Sequence, residues 1–334
     1  MWAWCERERD RLSAAIDAVR EVVEAGGEQA ARLMVALERR LGELATGHGD
    51  QLARHAGDTI AAGGKRLRPL LVFLSAGAPP PESDALLRAA VAIELVHSAT
   101  LVHDDVLDGS PLRRGRPTVL AAGGRLAATA TGDLLFSRAF AELVGTRSVR
   151  AIRVLASASR SLAAGELMQR ADAWRAVSEE RCLERCRLKT AMLFAAACEL
   201  GALEGGVDGR ALASFGERIG LAFQLLDDVL DVSGPPERTG KPRGADLLDG
   251  TVNLPLVVAR ARDPRLRELD LRSIATPGDA AAVCALIAAT GALEEVRARA
   301  RSLVCDAKAM LPPLRARQRA ALELIADGMV ERYS

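Results

Sequence analysis

The sequence predicts an all-α fold, and three observations support this prediction. Alanine and leucine, both strong helix formers, are abundant in almost every segment of the 334 residues. Glycine and proline interrupt these segments only at wide intervals. No stretch alternates apolar and polar residues for long enough to indicate a β-sheet. We therefore expect a protein that is built from helices.

Composition limits the domain organisation and the classes of partner. With 49% apolar residues and a net charge of +1, the chain is expected to be globular, with a substantial core in one large domain or two. A net charge this small does not favour nucleic acid, and an aromatic content of 3% provides few platforms for base stacking. We expect no nucleic-acid partner.

The first residues and the cysteines indicate a cytoplasmic location. The opening MWAWCERERD carries charges where a signal peptide needs an apolar core. The longest apolar runs, such as residues 191–198, are much shorter than the ~20 residues that cross a bilayer, so we expect no transmembrane segment. The 6 cysteines show no CxxC spacing, which argues against a structural zinc site and fits a reducing compartment.

The first predicted elements are amphipathic helices at residues 10–25 and 28–46. A further apolar helix follows Pro69 and ends at a run of three prolines. Ser83 or Asp84 can cap the helix after that, because both side chains accept hydrogen bonds from backbone N–H groups at helix starts.

The motif GGKRLRP, residues 63–69, precedes the apolar helix. Its two glycines allow the backbone to approach a ligand closely, and Lys65 and Arg68 add two positive charges. The same residues are also consistent with a glycine helix stop followed by a solvated basic turn. Taken alone, the motif leaves both interpretations open.

The stretch LVHDDVLDGSPLRRGRP, residues 101–117, carries acids followed by bases. Asp104 and Asp108 are one helical turn apart on one face, and Asp105 lies beside them. On a helix that is otherwise apolar such charges need partners, and hard divalent cations are the obvious ones. Acid beside fixed base predicts a diphosphate site. Earlier in the sequence, Glu94 and His97 lie on the same polar stripe of the helix. The bases that follow the aspartates are Arg113, Arg114 and Arg116.

The middle of the chain contains two further predicted helices. Gly132 and Asp133 are predicted to begin the first of them, with Asp133 either its cap or a further acidic ligand. Residues 151–173 form the second, which holds Glu166 and Gln169. Ser178 then has the pattern of an N-cap for the next helix.

Lysine is rare in this sequence, which uses arginine nearly everywhere. Because a compact ammonium binds phosphate as a point charge that a planar guanidinium does not simply replace, each lysine is a candidate phosphate ligand. Lys189, with Thr190, stands just before a markedly apolar run, although a position on a solvated surface is also consistent. The lysines are Lys65, Lys189, Lys241 and Lys308.

A second acidic helix is predicted at residues 211–232. Its carboxylates again follow a DDxxD pattern on an apolar helix. Carboxylates brought together in this way repel each other, so cations must lie between them. Mg²⁺ fits best, since it binds through one or two carboxylates plus substrate phosphates, whereas Ca²⁺ storage usually uses carbonyl-rich loops. The stripe contains Gly216, Gly220, Gln224, Asp227, Asp228 and Asp231.

These motifs together resemble the trans-isoprenyl (polyprenyl) diphosphate synthases. The resemblance rests on GGKRLRP, on HDDVLDGSPLRRGRPTV, on LKT at 188–190 and on FQLLDDVLD at 223–231. It implies an isoprenoid-synthase helical bundle around a central active-site cavity, with the two aspartate motifs facing across it. It also implies a single polyprenyl synthase domain over residues 1–334, with 1–27 as an N-terminal helical extension, and a homodimer.

The resemblance assigns roles to individual residues. It implies that Asp104, Asp108 and Asp227 bind three Mg²⁺ ions that hold the allylic diphosphate, with Asp105, Asp228 and Asp231 as further acids. Arg113, Lys189 and Lys241 are the implied cations that grip this diphosphate. Thr190 and Gln224 are the implied polar neighbours of the reacting carbons. Lys65, Arg68, His97 and Arg114 form the implied isopentenyl diphosphate pocket.

The implied reaction is the elongation of an allylic diphosphate, such as farnesyl diphosphate, by isopentenyl diphosphate. Stabilisation of the departing diphosphate lets the allylic C–O bond ionise, and the double bond of isopentenyl diphosphate then attacks the cation. Two alternatives stay open. A class I terpene cyclase would normally have an NSE-type second motif in place of the second DDxxD. A non-catalytic subunit of a heteromeric synthase would typically lack one aspartate motif, whereas this sequence has both.

Product length is expected to depend on Ala99 and Thr100, which precede the first aspartates. Farnesyl-type enzymes usually place an aromatic residue there, so the small residues imply products longer than C15. A C30–C45 chain is favoured over the C20 of a geranylgeranyl diphosphate synthase. One departure from the family pattern is Thr251, where many members have a lysine.

Overall fold

The computed structural model describes residues 21–46, 49–77, 83–113, 115–234 and 243–331. The chain divides into two compact units. The first unit comprises Met1–Ala156, Ala196–Ala213 and Leu311–Gly328, and the second comprises Ser157–Ala195, Ser214–Met310 and Met329–Ser334. The single domain over 1–334 stays a prediction, and residues 1–20 of the predicted N-terminal extension lie outside the described residues.

Helices account for nearly all regular structure in the described residues, which confirms the all-α prediction. The α-helices are α1 (Glu28–Leu44), α2 (Asp50–Ala61), α3 (Leu67–Ala76), α4 (Asp84–Asp108), α5 (Val119–Gly145), α6 (Val149–Asp172), α7 (Glu179–Cys186), α8 (Met192–Gly205), α9 (Gly209–Ser233), α10 (Ala245–Leu248), α11 (Leu254–Arg262), α12 (Pro264–Glu268), α13 (Pro277–Ala289), α14 (Ala292–Ala309) and α15 (Ala316–Glu331). A helical segment at residues 21–26, a π-helix (Arg187–Ala191), a 3₁₀-helix (Leu271–Ser273) and the two-residue strands β1 (Leu112–Arg113) and β2 (Arg116–Pro117) complete the described elements.

Helix α4 forms the centre of the first unit and packs along α5. Ser83 is its N-cap, since the hydroxyl oxygen accepts a hydrogen bond from the N–H of Leu86 at 3.3 Å. The apolar residues from 89 to 96 are completely buried, and Gly109 ends the helix in the left-handed region with φ 64°. The first acidic motif is therefore the last turn of a core helix.

The length and apolar composition of α4 also match those of a membrane span, and it is the one such helix in the described residues. Most of its apolar stretch, 67%, is buried within the structure. A core helix of a soluble protein has the same properties. The absence of a transmembrane segment therefore stays a prediction.

Helix α5 does not begin at Gly132, and the sequence prediction was wrong here. It begins after Thr118, whose hydroxyl accepts a hydrogen bond from the N–H of Ala121, and it bends at Gly124. Gly132 lies inside the helix, and its lack of a side chain leaves room for the His103 ring, since a Cβ there would lie 2.2 Å from His103 Nε2. Asp133 is therefore not a cap. It lies 3.4 Å from the same ring nitrogen.

Helices α3 and α8 approach each other closely within the first unit. Two glycines of α8 make this approach possible, because a Cβ on Gly201 would lie 2.1 Å from the carbonyl oxygen of Val72 and a Cβ on Gly205 would lie 2.1 Å from that of Ala76. The obstacles are backbone atoms, so no side chain can move aside. This contact fixes the helix that follows the GGKRLRP motif.

We expect Gly201→Ala to lower the free energy of unfolding by about 3 kcal/mol, the upper part of the range for overpacked sites, because the added methyl must displace backbone. Gly42→Ala is the matched control, since Gly42 is exposed in α1 and has nothing within 4 Å of the new Cβ. Its better helix propensity should raise stability by up to about 1 kcal/mol. Urea denaturation measures both, and equal effects would contradict the close packing.

Candidate functional site

The first acidic motif occupies the end of α4, and burial separates its three aspartates. Asp105 is buried, with 4% of its surface exposed, whereas Asp104 is half-buried and Asp108 is exposed. The guanidinium of Arg113 forms an ion pair with Asp105, with Nη2 and Oδ1 2.8 Å apart. Because Arg113 lies in β1, which pairs with β2 in a short hairpin, this contact holds the basic loop against the acidic turn.

The GGKRLRP turn, residues 63–69, consists of the connection 63–66 between α2 and α3 and the first three residues of α3. Lys65 of the connection and Arg68 of α3 are both half-buried. Arg66, which follows Lys65, is buried and contacts Glu94 of α4, with Nη1 and Oε1 2.6 Å apart. Burial raises the pKa of Glu94, and the positive charge of Arg66 opposes that change.

The predicted pocket and product-length residues of α4 lie between Glu94 and the aspartates. His97 is half-buried, and its carbonyl oxygen accepts a hydrogen bond from the Thr100 hydroxyl at 2.8 Å. Thr100 is half-buried, whereas Ala99 has no exposed surface. Arg114, the fourth predicted pocket residue, lies outside the described residues.

The second acidic motif lies on α9, in the second unit, and repeats the pattern of the first. Asp228 is 4% exposed and Asp227 is exposed. The amide of Gln224 donates to Asp228 Oδ1 at 2.8 Å, and the Thr190 hydroxyl donates to Gln224 Oε1 at 2.7 Å. Burial, followed by the negative charge of Asp246, raises the pKa of Asp228 well above its usual range. The structure therefore brings Thr190, Gln224 and Asp228 together.

The loop after α9 folds back onto the same acidic helix. The backbone N–H of Asp246 lies 3.4 Å from both carboxylate oxygens of Asp231. The N–H of Thr251 donates to the carbonyl oxygen of Asp246 at 2.8 Å, so the position where many family members carry lysine belongs to this loop. Lys241, predicted to grip the diphosphate, lies outside the described residues.

Lys189 lies in the π-helix that joins α7 to α8 and contacts two residues of α6. Its Nζ lies 2.6 Å from Glu166 Oε2 and donates to Gln169 Oε1 at 3.2 Å. A π-helical turn is rare and is frequently found at functional sites. Glycines of two helices approach it: a Cβ on Gly165 would lie 2.6 Å from Lys189 N, and one on Gly220 would lie 2.8 Å from the Cα of Ala191.

Sequence reasoning found these regions but missed several contacts. The sequence predicts the helix that holds Glu166 and Gln169, but no local pattern links either residue to Lys189. In GGKRLRP the sequence indicates a role for Lys65 and Arg68, and none for Arg66. The one signal in the sequence for the contact of Arg66 is Glu94. A charged residue within a run of apolar residues is expected to be buried, and a buried charge needs an oppositely charged partner.

The donor set fits a hard divalent cation. All the predicted ligands are carboxylates, and hard cations such as Mg²⁺ and Ca²⁺ prefer oxygen. In the part of the chain that the structure describes, no group of three or more His, Cys, Asp or Glu side chains could by itself hold a metal ion. Mg²⁺ commonly binds one or two carboxylates and completes its shell with substrate phosphates, which agrees with this arrangement.

The comparison with protein families identifies the class of enzyme. A family model described as polyprenyl synthetase matches residues 50–287. The chain therefore belongs to the polyprenyl synthetase family, which confirms the resemblance seen in the motifs. It is a prenyltransferase of the polyprenyl diphosphate synthase class.

Individual relatives support the same assignment. The chain is 39% identical over 260 residues to heptaprenyl diphosphate synthase component 2 of Geobacillus stearothermophilus, covering 77% of this chain and 81% of the relative. It is 36% identical over 283 residues to geranylgeranyl diphosphate synthase of Methanosarcina mazei, covering 82% and 87%. Its fold matches that of a polyprenyl synthase from Caulobacter crescentus, crystallised with calcium and isoprenyl diphosphate, with a TM-score of 0.87, 39% identity and coverage of 93% and 98%.

Proposed function

We propose that this chain elongates an allylic diphosphate, such as farnesyl diphosphate, by head-to-tail trans condensation with isopentenyl diphosphate. The observation that carries the proposal is a pattern repeated on two helices. In each DDxxD run the second aspartate, Asp105 or Asp228, is buried and bonded to the protein, and another aspartate of the run, Asp108 or Asp227, is exposed. An exposed carboxylate can exchange water for a cation that arrives with a phosphate substrate.

The metal ligands in this proposal are Asp104, Asp108 and Asp227, with three Mg²⁺ ions when substrate is bound. Asp105, Asp228 and Asp231 are further acids that support these three ligand aspartates. The calcium and isoprenyl diphosphate named for the Caulobacter crescentus structure support divalent-cation and diphosphate chemistry. The bound cations would supply Lewis-acid stabilisation of the charge on the departing diphosphate.

The side chains of this protein then perform three tasks. Arg113, Lys189 and Lys241 neutralise charge on the diphosphate as the allylic C–O bond breaks. Thr190 and Gln224 present dipoles, fixed by their mutual hydrogen bond, to the reacting carbons. The pocket formed by Lys65, Arg68, His97 and Arg114 holds isopentenyl diphosphate so that its double bond can attack. The proton lost in forming the new double bond goes to the released diphosphate.

Products longer than C15, with C30–C45 favoured, are part of the proposal. Small residues at positions 99 and 100 support it, and of these Thr100 has exposed surface. The relatives named for heptaprenyl and geranylgeranyl products support a length above C15. The geranylgeranyl relative keeps a C20 product as the second candidate.

The test is incubation of the purified chain with farnesyl diphosphate, labelled isopentenyl diphosphate and Mg²⁺, followed by chromatography of the products. We expect prenyl diphosphates longer than C15. Failure to extend farnesyl diphosphate would contradict the chain-length proposal. A hydrocarbon formed from the allylic substrate alone would indicate a class I terpene cyclase.

Assembly and location also remain proposals. We propose a homodimer in the cytoplasm, and mass measurement in solution tests the dimer. One relative is named as component 2 of a heptaprenyl diphosphate synthase, which makes a heteromeric synthase the alternative. Activity of the isolated chain would argue against a non-catalytic subunit, and activity that requires a second protein would argue for the heteromer.

We expect Gly165→Ala to lower kcat about tenfold, because the new Cβ must push the Lys189 backbone away and misplace the ammonium. Steady-state kinetics with farnesyl diphosphate measure this effect. Gly328→Ala is the control, since nothing lies within 4 Å of its Cβ. An unchanged kcat in Gly165→Ala would show that the position of Lys189 does not limit turnover.

A further inference from the structure

Arg66 lies between Lys65 and Arg68 in the GGKRLRP turn, and its conformation differs from that expected of an arginine. Its backbone has φ 46° and ψ 34°, in the left-handed region that residues other than glycine seldom adopt. Its surface is 8% exposed although the side chain is charged. Such backbone conformations persist only where the surroundings impose them, and they cluster at functional sites.

The surroundings that impose it are three helices of the first unit. The guanidinium of Arg66 donates from Nε to Glu38 Oε1 of α1 at 2.7 Å and from Nη1 to Glu94 Oε1 of α4 at 2.6 Å. It also donates from Nη2 to the carbonyl oxygen of Ile60 in α2 at 2.9 Å. A guanidinium presents its donors in a rigid planar fork, so these partners fix its position and orientation together.

The contact with Glu94 joins the turn to the acidic helix. Glu94 lies one helical turn before His97, on the stripe that leads along α4 to Asp104. Lys65 and Arg68 flank Arg66 in the chain. The position of Arg66 against α4 therefore determines where the two basic residues lie relative to His97 and to the first acidic motif.

We propose that Arg66 is a positioning residue for isopentenyl diphosphate: through Glu94 and Glu38 it holds the Lys65–Arg68 turn at a fixed place on α4. The proposal rests on the proposed function, in which that turn binds isopentenyl diphosphate. Arg66 itself does not touch substrate. Its effect is on where Lys65 and Arg68 lie relative to His97, and therefore on the binding of isopentenyl diphosphate.

A second buried ion-pair network in the same unit provides a comparison. Glu142 of α5 is 4% exposed and pairs with Arg40 at 2.8 Å and with Arg88 at 3.4 Å. Arg88 lies on α4, as Glu94 does, and also pairs with Asp84. This network joins helices without contacting the GGKRLRP turn, so it separates the cost of losing a buried ion pair from the loss of positioning.

The experiment compares Arg66→Lys and Glu94→Gln with the wild-type chain in steady-state kinetics. A misplacement of about 1 Å can cost a hundredfold, so we expect the KM for isopentenyl diphosphate to rise about 10- to 100-fold in both. The KM for farnesyl diphosphate and kcat at saturation should stay within about threefold of the wild type. Arg88→Gln, the control, should change neither KM, even where it lowers the melting temperature.

Two results would overturn the proposal. One is a KM for isopentenyl diphosphate that stays within about twofold of the wild type in both variants, far below the expected change. The other is an equal rise in both KM values that follows the loss of thermal stability and appears also in Arg88→Gln. Either would make Arg66 a general stabilising residue.

Two further variants keep the test decisive. Arg66→Gly accepts the left-handed backbone without a guanidinium, and we expect the same rise in KM, so a wild-type KM would show that the turn alone positions the pocket. If the buried variants do not fold, Glu38→Gln removes only the half-exposed partner, and an unchanged KM there would overturn the proposal.

Should the wild-type chain incorporate no isopentenyl diphosphate, the proposed function fails. Calorimetric titration of the wild type and Glu94→Gln with isopentenyl diphosphate would then test the positioning separately, with weaker binding expected and equal binding contradicting it.

Discussion

Replacement of Asp104 or Asp227 by alanine is expected to abolish turnover while leaving the fold intact. In the proposed function each of these carboxylates is a ligand of a cation that stabilises the departing diphosphate, and such stabilisation contributes several kcal/mol to catalysis. Since each 1.4 kcal/mol is a factor of ten in rate, we expect kcat to fall about a thousandfold or more.

The fold should survive because neither side chain is needed for packing. Asp227 is exposed and Asp104 is half-buried at the end of α4. We expect the free energy of unfolding to change by no more than about 0.5 kcal/mol, as at other surface positions. Asp58→Ala and Asp306→Ala remove exposed aspartates elsewhere and should keep wild-type kcat. Full activity in both Asp104→Ala and Asp227→Ala would refute the proposed mechanism.

The second large effect is expected at Thr100. Thr100→Phe should shorten the product from a long polyprenyl diphosphate to C15, because the phenyl ring would fill the space into which, in the proposed function, the growing chain extends. Thr100 is half-buried and lies one helical turn before Asp104 on the same face. Ala99 has no exposed surface, so Phe at position 99 would overpack the core, at a typical cost of about 1–3 kcal/mol.

The control for this change is Thr100→Val, which keeps the volume and removes only the hydroxyl. That hydroxyl donates to the carbonyl oxygen of His97 within its own helix, so we expect the long product to be retained. Mass spectrometry of the products after phosphatase treatment measures both variants. A Thr100→Phe enzyme that still makes the long product would show that the floor of the product tunnel is elsewhere.

Much of the fold could be predicted because its determinants are local. Alanine- and leucine-rich segments form helices by propensity, and Ser83 and Ser178 cap the helices that follow them, as their positions indicated. The two DDxxD runs could be recognised because a spacing of one helical turn is visible in the sequence itself.

The remaining features depend on contacts between segments far apart in the chain. Gly132 has the local pattern of a helix start, yet it lies inside α5, where the absence of a Cβ leaves room for the ring of His103. The ion pair of Lys189 with Glu166 joins two helices and has no local signature. The difference in burial between Asp104 and Asp105 likewise follows from the packing of α4 and from the hairpin that brings Arg113 back to Asp105.

In the proposed reaction, one diphosphate leaves the allylic substrate for each isopentenyl unit that is added to it. The most direct test measures inorganic diphosphate and incorporated isopentenyl units in the same reaction of the purified chain with farnesyl diphosphate and Mg²⁺. We predict one diphosphate released for each isopentenyl unit incorporated, and neither in the presence of excess chelator. Release of diphosphate without isopentenyl diphosphate, or incorporation that continues in chelator, would contradict this reaction.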